Sequence, residues 1–354
     1  MRVYLLLLIV VFILLLVFAI YLVRLTHNYL NKRIKNKLLC WIISFIPLLL
    51  IILGLWINMV NAIVVYIHLI VFILLIKLIL LIIKKKKVSE YIIFACGVLI
   101  TTIYLSYGYY MAHHVVETNY VVYTDKNVNA FRIVQLSDSH IGTTFNGEEL
   151  LNYVKEINKL NPDIVAITGD LIDDSTKDED IVSATKSLGK LNAKYGVYFV
   201  YGNHDKGYFS SKLGILSDNL QENNVMILED ASTEINNIIV MGRRDAGNKD
   251  RIEATELTKE LDKNKYIIML DHQPTDYDNE VEAGADLVLS GHTHGGQLFP
   301  LGQFGLLLGA NDMLYGMKKI DNTAFVVNSG ISDWAIKFKT GTKSEYVVID
   351  VKTK

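Results

Sequence analysis

The run FRIVQLSDSH, residues 131–140, carries six strand-like residues almost directly into an Asp-x-His triplet. The same construction returns in IVAITGDLID at 164–173, VYFVYGNHD at 197–205, YIIMLDHQP at 266–274 and LVLSGHTHGGQ at 287–297. Each begins as a short apolar run rich in β-branched and aromatic residues, which reads as a strand buried on both faces, and each ends in a polar cluster. Helical patterns lie between them: residues 148–160 put Leu150, Leu151, Val154, Ile157 and Leu160 on one face, and helices are also expected at 180–191 and 214–223. Further strands are expected at 225–228, 238–241, 324–327 and 346–351. Strands alternating with helices predict an α/β domain over 130–354, built on two packed sheets with helices outside them. In such folds functional residues collect beyond the carboxyl ends of strands, and all five histidines of this region stand there.

Upstream of residue 130 the chain changes character. Of its 354 residues 51% are hydrophobic and only 20% charged, too apolar for two ordinary soluble domains. Residues 1–116 hold eleven Lys/Arg against one acid, Glu90, a net +10; the rest holds 24 against 36, a net −12. This split excludes a purely soluble enzyme, a disordered chain and a fibrous rod, and the acidic second part argues against a nucleic-acid partner. Cys40 and Cys96 both fall in apolar runs, so the polar part relies on no disulfide.

A bilayer core takes about 20 apolar helical residues, and four stretches qualify: 3–23, 38–57, 60–83 and 91–111. The first exceeds the apolar core of a secretory signal and lacks a small-residue cleavage site, so it reads as a retained span. Arg24, Lys32, Arg33, Lys35 and Lys37 follow the first span, and Lys84 to Lys87 follow the third. Basic loops stay cytoplasmic, so everything after the fourth span is expected outside the cytoplasm, in a multi-pass cell-membrane protein. The expected plan is a transmembrane region over 1–115, a linker over 116–129 and the α/β domain over 130–354. Within the spans, Lys77 and His68 are the polar residues that could point to transport or sensing; the plainer reading lets Lys77 snorkel toward the Lys84 cluster and leaves anchoring as the purpose of the helices.

Singly, the polar clusters say little. An Asp-x-His triplet arises by chance in roughly a quarter of domains of this size, and an isolated Asp170 or Asp173 would more often be a helix cap. Gly-Asn-His-Asp and Gly-His-x-His are each expected well under about 1% of the time. Imidazole and carboxylate donors without thiolate suit Mn, Fe or Zn. Four histidines, two aspartates and one asparagine suffice for two divalent metals sharing a carboxylate. Such a pair, about 3.5–4 Å apart, can activate a bridging water and neutralise phosphate oxygens, which makes phosphoester hydrolysis the natural reaction.

The ordered set Asp138-x-His140, Gly169-Asp170-x-x-Asp173, Gly202-Asn203-His204-Asp205, His272 and Gly291-His292-x-His294 resembles the calcineurin-like metallophosphoesterase superfamily over about residues 130–354. The run Gly291 to Gln297, with the apolar spans, is similar to its membrane-anchored bacterial branch and to transmembrane proteins carrying such a domain. The resemblance implies a four-layer αββα sandwich and two metals, manganese first, with iron or zinc as the other choices. It implies that Asp138, His140, Asp170 and His294 hold the first, and that Asp170, Asn203, His272 and His292 hold the second, with Asp170 as the bridge. His204 would sit over the phosphate as acid or charge stabiliser, Asp173 would orient Asp170, and Asp205 would be structural.

Three stretches depart from that pattern or leave a choice open. Ser329 stands before Gly330 where relatives often carry Arg; Arg243 and Arg244 are alternative phosphate contacts, with a solvated strand end as the plain reading. Residues 299–308, FPLGQFGLLL, read either as buried core or as an apolar lip reinforced by Trp334 and Phe338 that holds an acyl chain or touches the bilayer. The functional expectation is a membrane-anchored two-metal phosphoesterase acting on a diester or pyrophosphate, its substrate lipid-linked or an envelope precursor. The competing expectation is a membrane sensing or binding protein that keeps the domain and has lost turnover.

Overall fold

A computed structural model describes residues 2–84, 88–206 and 211–354. Lys85, Lys86 and Lys87 of the basic loop after the third span lie outside the described residues. The chain divides into two compact units, one ending at Tyr107 and the other beginning at Gly108.

The first unit contains α1 (Arg2–Leu30), α2 (Lys37–Ser44), α3 (Ile46–Ile57), α4 (Met59–Ile82) and most of α5 (Glu90–His113). By length and composition these supply four membrane-crossing helices, Ile9–Leu30, Lys37–Ile57, Met59–Ile82 and Glu90–His113. The second is interrupted at Phe45, because Pro47 in the first turn of α3 has no N–H to continue the ladder. Helix α1 runs seven residues past Val23, so Arg24 is helical rather than part of a loop. Phe18, Leu22, Ile51, Ile73 and Ile93 form a small core, while most other leucines and isoleucines face outward, as a lipid solvent permits. Lys77 pairs with Glu90, the first residue of α5 after the Lys84 loop, at 2.8 Å, and Tyr21 donates to the same carboxylate at 3.1 Å.

The second unit carries β1 (Val116–Thr124), β2 (Phe131–Leu136), α6 (Leu150–Lys159), β3 (Ile164–Thr168), α7 (Asp178–Leu188), β4 (Val197–Val200), α8 (Asn203–Lys206), α9 (Ser211–Glu222) and β5 (Val225–Ile227). It continues with β6 (Ala231–Ile235), β7 (Ile238–Gly242), α10 (Ala254–Leu257), β8 (Tyr266–Leu270), α11 (Tyr277–Glu282), β9 (Leu287–Ser290), a short 3-10 turn (His294–Gly296), α12 (Leu301–Leu307), β10 (Gly316–Ile320), β11 (Thr323–Val327) and β12 (Glu345–Thr353). One six-stranded sheet has the order β1-β12-β2-β3-β4-β5, and the other β10-β11-β9-β8-β7-β6.

Period-two alternation explains the layering. Ile133, Ile164, Ala166, Tyr198 and Val200 of the first sheet meet Val240, Ile268, Leu270, Leu287 and Leu289 of the second in a core between the sheets. Their sequence neighbours Val134, Leu136, Val165, Ile167 and Phe199 point the other way, onto Leu150, Val154, Ile157, Ile181 and Leu216 from the helices. Met241, Met269, Val288 and Phe325 do the same on the far face of the second sheet, against Tyr277 and Ala254. Three cores separate four layers, the αββα sandwich expected from the sequence.

The expected linker over 116–129 needs correction, since its first nine residues are β1, paired in parallel with β12 from Val116↔Glu345 to Thr124↔Thr353. Half-buried and exposed residues alternate along it, as an edge strand requires. Only two residues, His114 and Val115, separate the end of α5 from this strand.

Phe199 is fully buried in β4. Phe199→Ala is expected to cost about 3–5 kcal/mol, whereas Met226→Ala at an exposed position of β5 is expected to stay within about 0.5 kcal/mol. Urea unfolding of the detergent-solubilised chain checks both.

Candidate functional site

Strands β2, β3 and β4 of one sheet and β8 and β9 of the other release their carboxyl ends at one seam. The loops beyond them keep pairing: Asp138 N donates to Gly169 O at 3.0 Å, His140 N to Asp170 O at 3.1 Å, and Gly291 N to His272 O at 3.0 Å. Two glycines let the segments approach this closely. A Cβ at Gly202 would lie 2.1 Å from Asp170 Oδ1, and one at Gly291 would lie 1.8 Å from Ser137 Oγ.

The seam gathers two sets of ligand-type atoms. Asp138, His140 and His294 form one, Asp170, His272 and His292 the other, each with its atoms within 4.8 Å of one another. Asp170 belongs to both neighbourhoods, its Oδ2 standing 3.1 Å from His272 Nε2 and 3.8 Å from His140 Nε2. Asn203 Oδ1 lies 3.2 Å from His272 Nε2. All seven residues read as metal ligands in the sequence are therefore brought together, with Asp170 between the sets.

The donor set fits divalent cations. His140 is fully buried and both of its ring nitrogens lack a hydrogen-bond partner, a costly state unless a cation completes it. Backbone conformation adds a second sign. Asp138, His140, Asp170, His292 and His294 all have φ between +36° and +68°, a left-handed region that costs non-glycine residues energy and concentrates at functional sites.

Electrostatics prepares the same site. Burial raises Asp138. For Asp170 burial also pushes upward, but the charge and hydrogen bond of His272, with His140 and His204, hold it well below the usual carboxylate range. Burial opposes the protonation of His272, yet Asp170 raises it overall. Burial, then His272, brings His292 down to about 4, and burial with His140 keeps His294 well below its ordinary value. An ionised Asp170 beside neutral His292 and His294 is the state that ligation requires, whereas His140 and His272, both raised, would give up a proton on binding a cation.

Of the two acids read beside the ligands, Asp205 keeps the structural role expected of it and Asp173 turns away from Asp170. Asp173 does not orient Asp170: its Oδ2 faces His140 Nδ1 at 3.5 Å, and its Oδ1 accepts from Ser175 N at 2.8 Å. Asp205 takes the Asp170 task instead. Its carboxylate accepts from Asp170 N and Gly202 N at 2.8 Å and from Ile172 N at 3.0 Å, which fixes the turn that carries Asp170. His204 N donates to Asp170 Oδ1 at 2.8 Å, while its half-exposed ring lies 4.9 Å from Trp334. Burial lowers the pKa of His204.

Neither arginine weighed for phosphate contact is free. Arg243 is buried against Asp271 at 3.1 Å, Asp276 at 2.8 Å and Glu280 at 3.2 Å. Arg244 pairs with Asp230 and Glu229. At the Ser329 departure the buried cation is Lys339, whose Nζ donates to Ser329 O at 2.7 Å and to Gly330 O and Ser332 O, and meets Asp333 at 3.2 Å. Asp333 stands 3.9 Å from His294 Nδ1. No motif marks Lys339 or Asp333 in the sequence; only the folded loop brings them behind a ligand.

Residues 299–308 are not core. Phe299, Phe304, Leu307 and Leu308 are all more than half exposed, and α12 buries none of its residues. Between α12 and the ligands lies a cavity of about 340 Å³, with His292 and His294 at its base and Leu298, Leu301, Leu314 and Ile336 in its walls. A second cavity of about 570 Å³ holds Asp174, Asn203, His204, Lys206, Asp245 and Asn248. Trp334 lines both.

The family model for calcineurin-like phosphoesterases matches residues 131–296, which contain every ligand above. An uncharacterized metallophosphoesterase of Campylobacter jejuni is 29% identical over 272 residues, 74% of this chain and 71% of that protein. One from Bacillus subtilis is 29% identical over 261 residues, 70% of this chain and 90% of its own length. A transmembrane protein with metallophosphoesterase domain from Bos taurus is 32% identical over 238 residues, 62% of this chain, and the chain spans about half of that relative, 52%. Residues 131–296 of this chain thus carry the calcineurin-like phosphoesterase pattern, with the ligand groups of a metal-dependent phosphoric ester hydrolase, after four helices long and apolar enough to cross a membrane.

Proposed function

We propose that the chain is a membrane-anchored hydrolase of phosphodiesters or pyrophosphates, acting outside the cytoplasm on a lipid-linked or envelope-precursor substrate. The observation that carries the reading is the pair of cavities meeting at Trp334 beside the ligand cluster, one with Leu298, Leu301, Leu314 and Ile336 in its lining and the other with Asp174, Lys206, Asp245 and Asn248. A phosphomonoester has one organic substituent and fills one cavity. A diester or pyrophosphate has two, one for each cavity.

Asp138, His140, Asp170 and His294 would hold one divalent cation, and Asp170, Asn203, His272 and His292 the other; ligand type suits manganese, iron or zinc, and the family resemblance puts manganese first. When bound, the two cations supply an activated water and offset the charge of the phosphate oxygens. The chain's own residues do the rest. Asp205 holds the Asp170 turn, and Asp173 Oδ2 faces His140 Nδ1 at 3.5 Å. His204 is anchored by its backbone to Asp170 and keeps its ring at the mouth of the polar cavity, where it donates a proton to the leaving oxygen or a hydrogen bond to the developing charge. The basic residues that follow the first and third spans support the extracytoplasmic placement of the domain. Domain limits follow as 1–115 for the spans and 116–354 for the catalytic part, with β1 included in the latter.

The detergent-solubilised chain is expected to hydrolyse bis(p-nitrophenyl) phosphate with added Mn²⁺, to stop on chelation, and to be inactive as Asp170→Ala. A folded, metal-loaded chain without turnover would move the reading to a binding or sensing protein. His204→Ala should keep both metals by elemental analysis and lose about 10²–10⁴-fold in turnover; loss of metal would make His204 a ligand instead. For orientation, Lys190→Cys in a Cys40→Ser, Cys96→Ser background offers an exposed thiol on the polar unit. An impermeant maleimide should label it equally in intact and permeabilised cells, and labelling that needs permeabilisation would sink the extracytoplasmic placement.

A further inference from the structure

The exposed apolar helix α12 has a specific neighbour within the polar unit. Phe299 N, at the entry to α12, donates to Thr340 Oγ1 at 3.1 Å, and Thr340 N donates to Gln297 O at 2.8 Å. One residue earlier, Lys339 N donates to Gly108 O at 2.9 Å, and Phe338 stacks edge-on against Tyr109 with ring centroids 6.4 Å apart. Ser344 closes the same contact, its N donating to Met111 O at 2.9 Å and its Oγ to Ala112 O at 2.7 Å. The loop 338–344 thus ties α12 to the last turns of α5, the end of the fourth membrane-crossing helix.

That helix end carries an interfacial signature. Tyr107, Tyr109 and Tyr110 are each about half exposed, and such aromatic belts lie at the headgroup level where a ring can be apolar on one side and wet on the other. The segment tied to it is suited to the same depth. From Leu287 to Asn311 no Lys, Arg, Asp or Glu occurs, and Leu307 and Leu308 are 80% and 85% exposed at the tip. Water is a poor solvent for such a tip. Covering it with a second protein would need a partner surface, whereas the bilayer is already fixed at this level by the tyrosines of α5.

We propose that α12 and the Leu307–Leu308 tip form a lip that dips into the headgroup region of the leaflet where the fourth span ends. The cavity beneath it, with His292 and His294 at its base, then opens along the bilayer surface. A chain-bearing phosphoester enters it sideways from the leaflet without its apolar part crossing water, a consequence that, unlike the contact itself, rests on the hydrolase reading.

The full chain in nanodiscs tests the lip without needing turnover. Leu307→Cys in the cysteine-free background, labelled with an environment-sensitive fluorophore, should emit to the blue and be quenched by spin-labelled lipids. The same label at Lys190→Cys should remain water-like. Emission from position 307 that matches position 190 would overturn the proposal. So would a blue shift that spin-labelled lipids leave unquenched, which would mean that protein covers the tip. Leu307→Asp with Leu308→Asp, neither of which lines the cavity, should leave bis(p-nitrophenyl) phosphate turnover within about two-fold and cut turnover of a lipid-borne phosphodiester by about ten-fold or more. Equal loss on both substrates would argue against the lip and for simple damage. Absence of all turnover with the quenching intact would reject the hydrolase reading and keep the membrane contact.

Discussion

Removing the Asp170 carboxylate from water is the constraint to which its surroundings answer. An ionised carboxylate in a protein interior costs several kcal/mol unless nearly every lone pair is matched. Here one oxygen takes the His204 amide and the other faces His272 and His140. The main chain of Asp170 is in turn clamped by Asp205, and Gly202 is the residue whose missing side chain leaves room for that carboxylate. Because these partners follow β2, β4 and β8, the two sheets must end at the same level for the charge to be tolerated. The left-handed backbone at five ligands belongs to the same bargain, with local conformational energy spent to aim several side chains at a single point.

The sequence made the ligands legible because few side chains can do their chemistry and because strand ends are easy to recognise. It made the strands legible for a related reason: Ile164 to Thr168 or Tyr266 to Leu270 can satisfy no other environment than a sheet covered on both faces. What it left obscure were relations set by tertiary distance. Asp173 and Asp205 are both acids near Asp170, and no spacing rule says that the first turns to His140 while the second grips the backbone. Arg243 looks like a phosphate ligand until three carboxylates are seen around it. Lys339 sits five residues after Trp334 in an unremarkable polar loop, and only the fold shows it buried among backbone carbonyls. Residues 116–124 passed for a linker because their alternation is of half-buried with exposed rather than apolar with charged.

Membrane and polar portions use apolar residues in opposite ways. In the spans, outward leucines match their solvent and the few polar groups turn to one another, as Lys77, Glu90 and Tyr21 do. In the polar unit leucines and valines fill three cores, and α12 stands out because it follows the rule of the spans. The last turns of α5 belong to the polar unit by their hydrogen bonds and to the spans by their helix.

The parallel pairing of β1 with β12 has a mechanical consequence. Helix α5 passes into β1 after two residues, and β1 is held along its length by nine aligned positions of β12. Tension directed along the axis of β1 loads the bonds of that ladder together in shear, so that they do not open one after another like a zip. β12 passes the load to β2 through an antiparallel ladder, and β2 leads directly to Asp138 and His140. The strand that fastens the domain to its helices is therefore one strand removed from the strand that presents the first ligands, and strain at the tether is shared across the sheet before it reaches them.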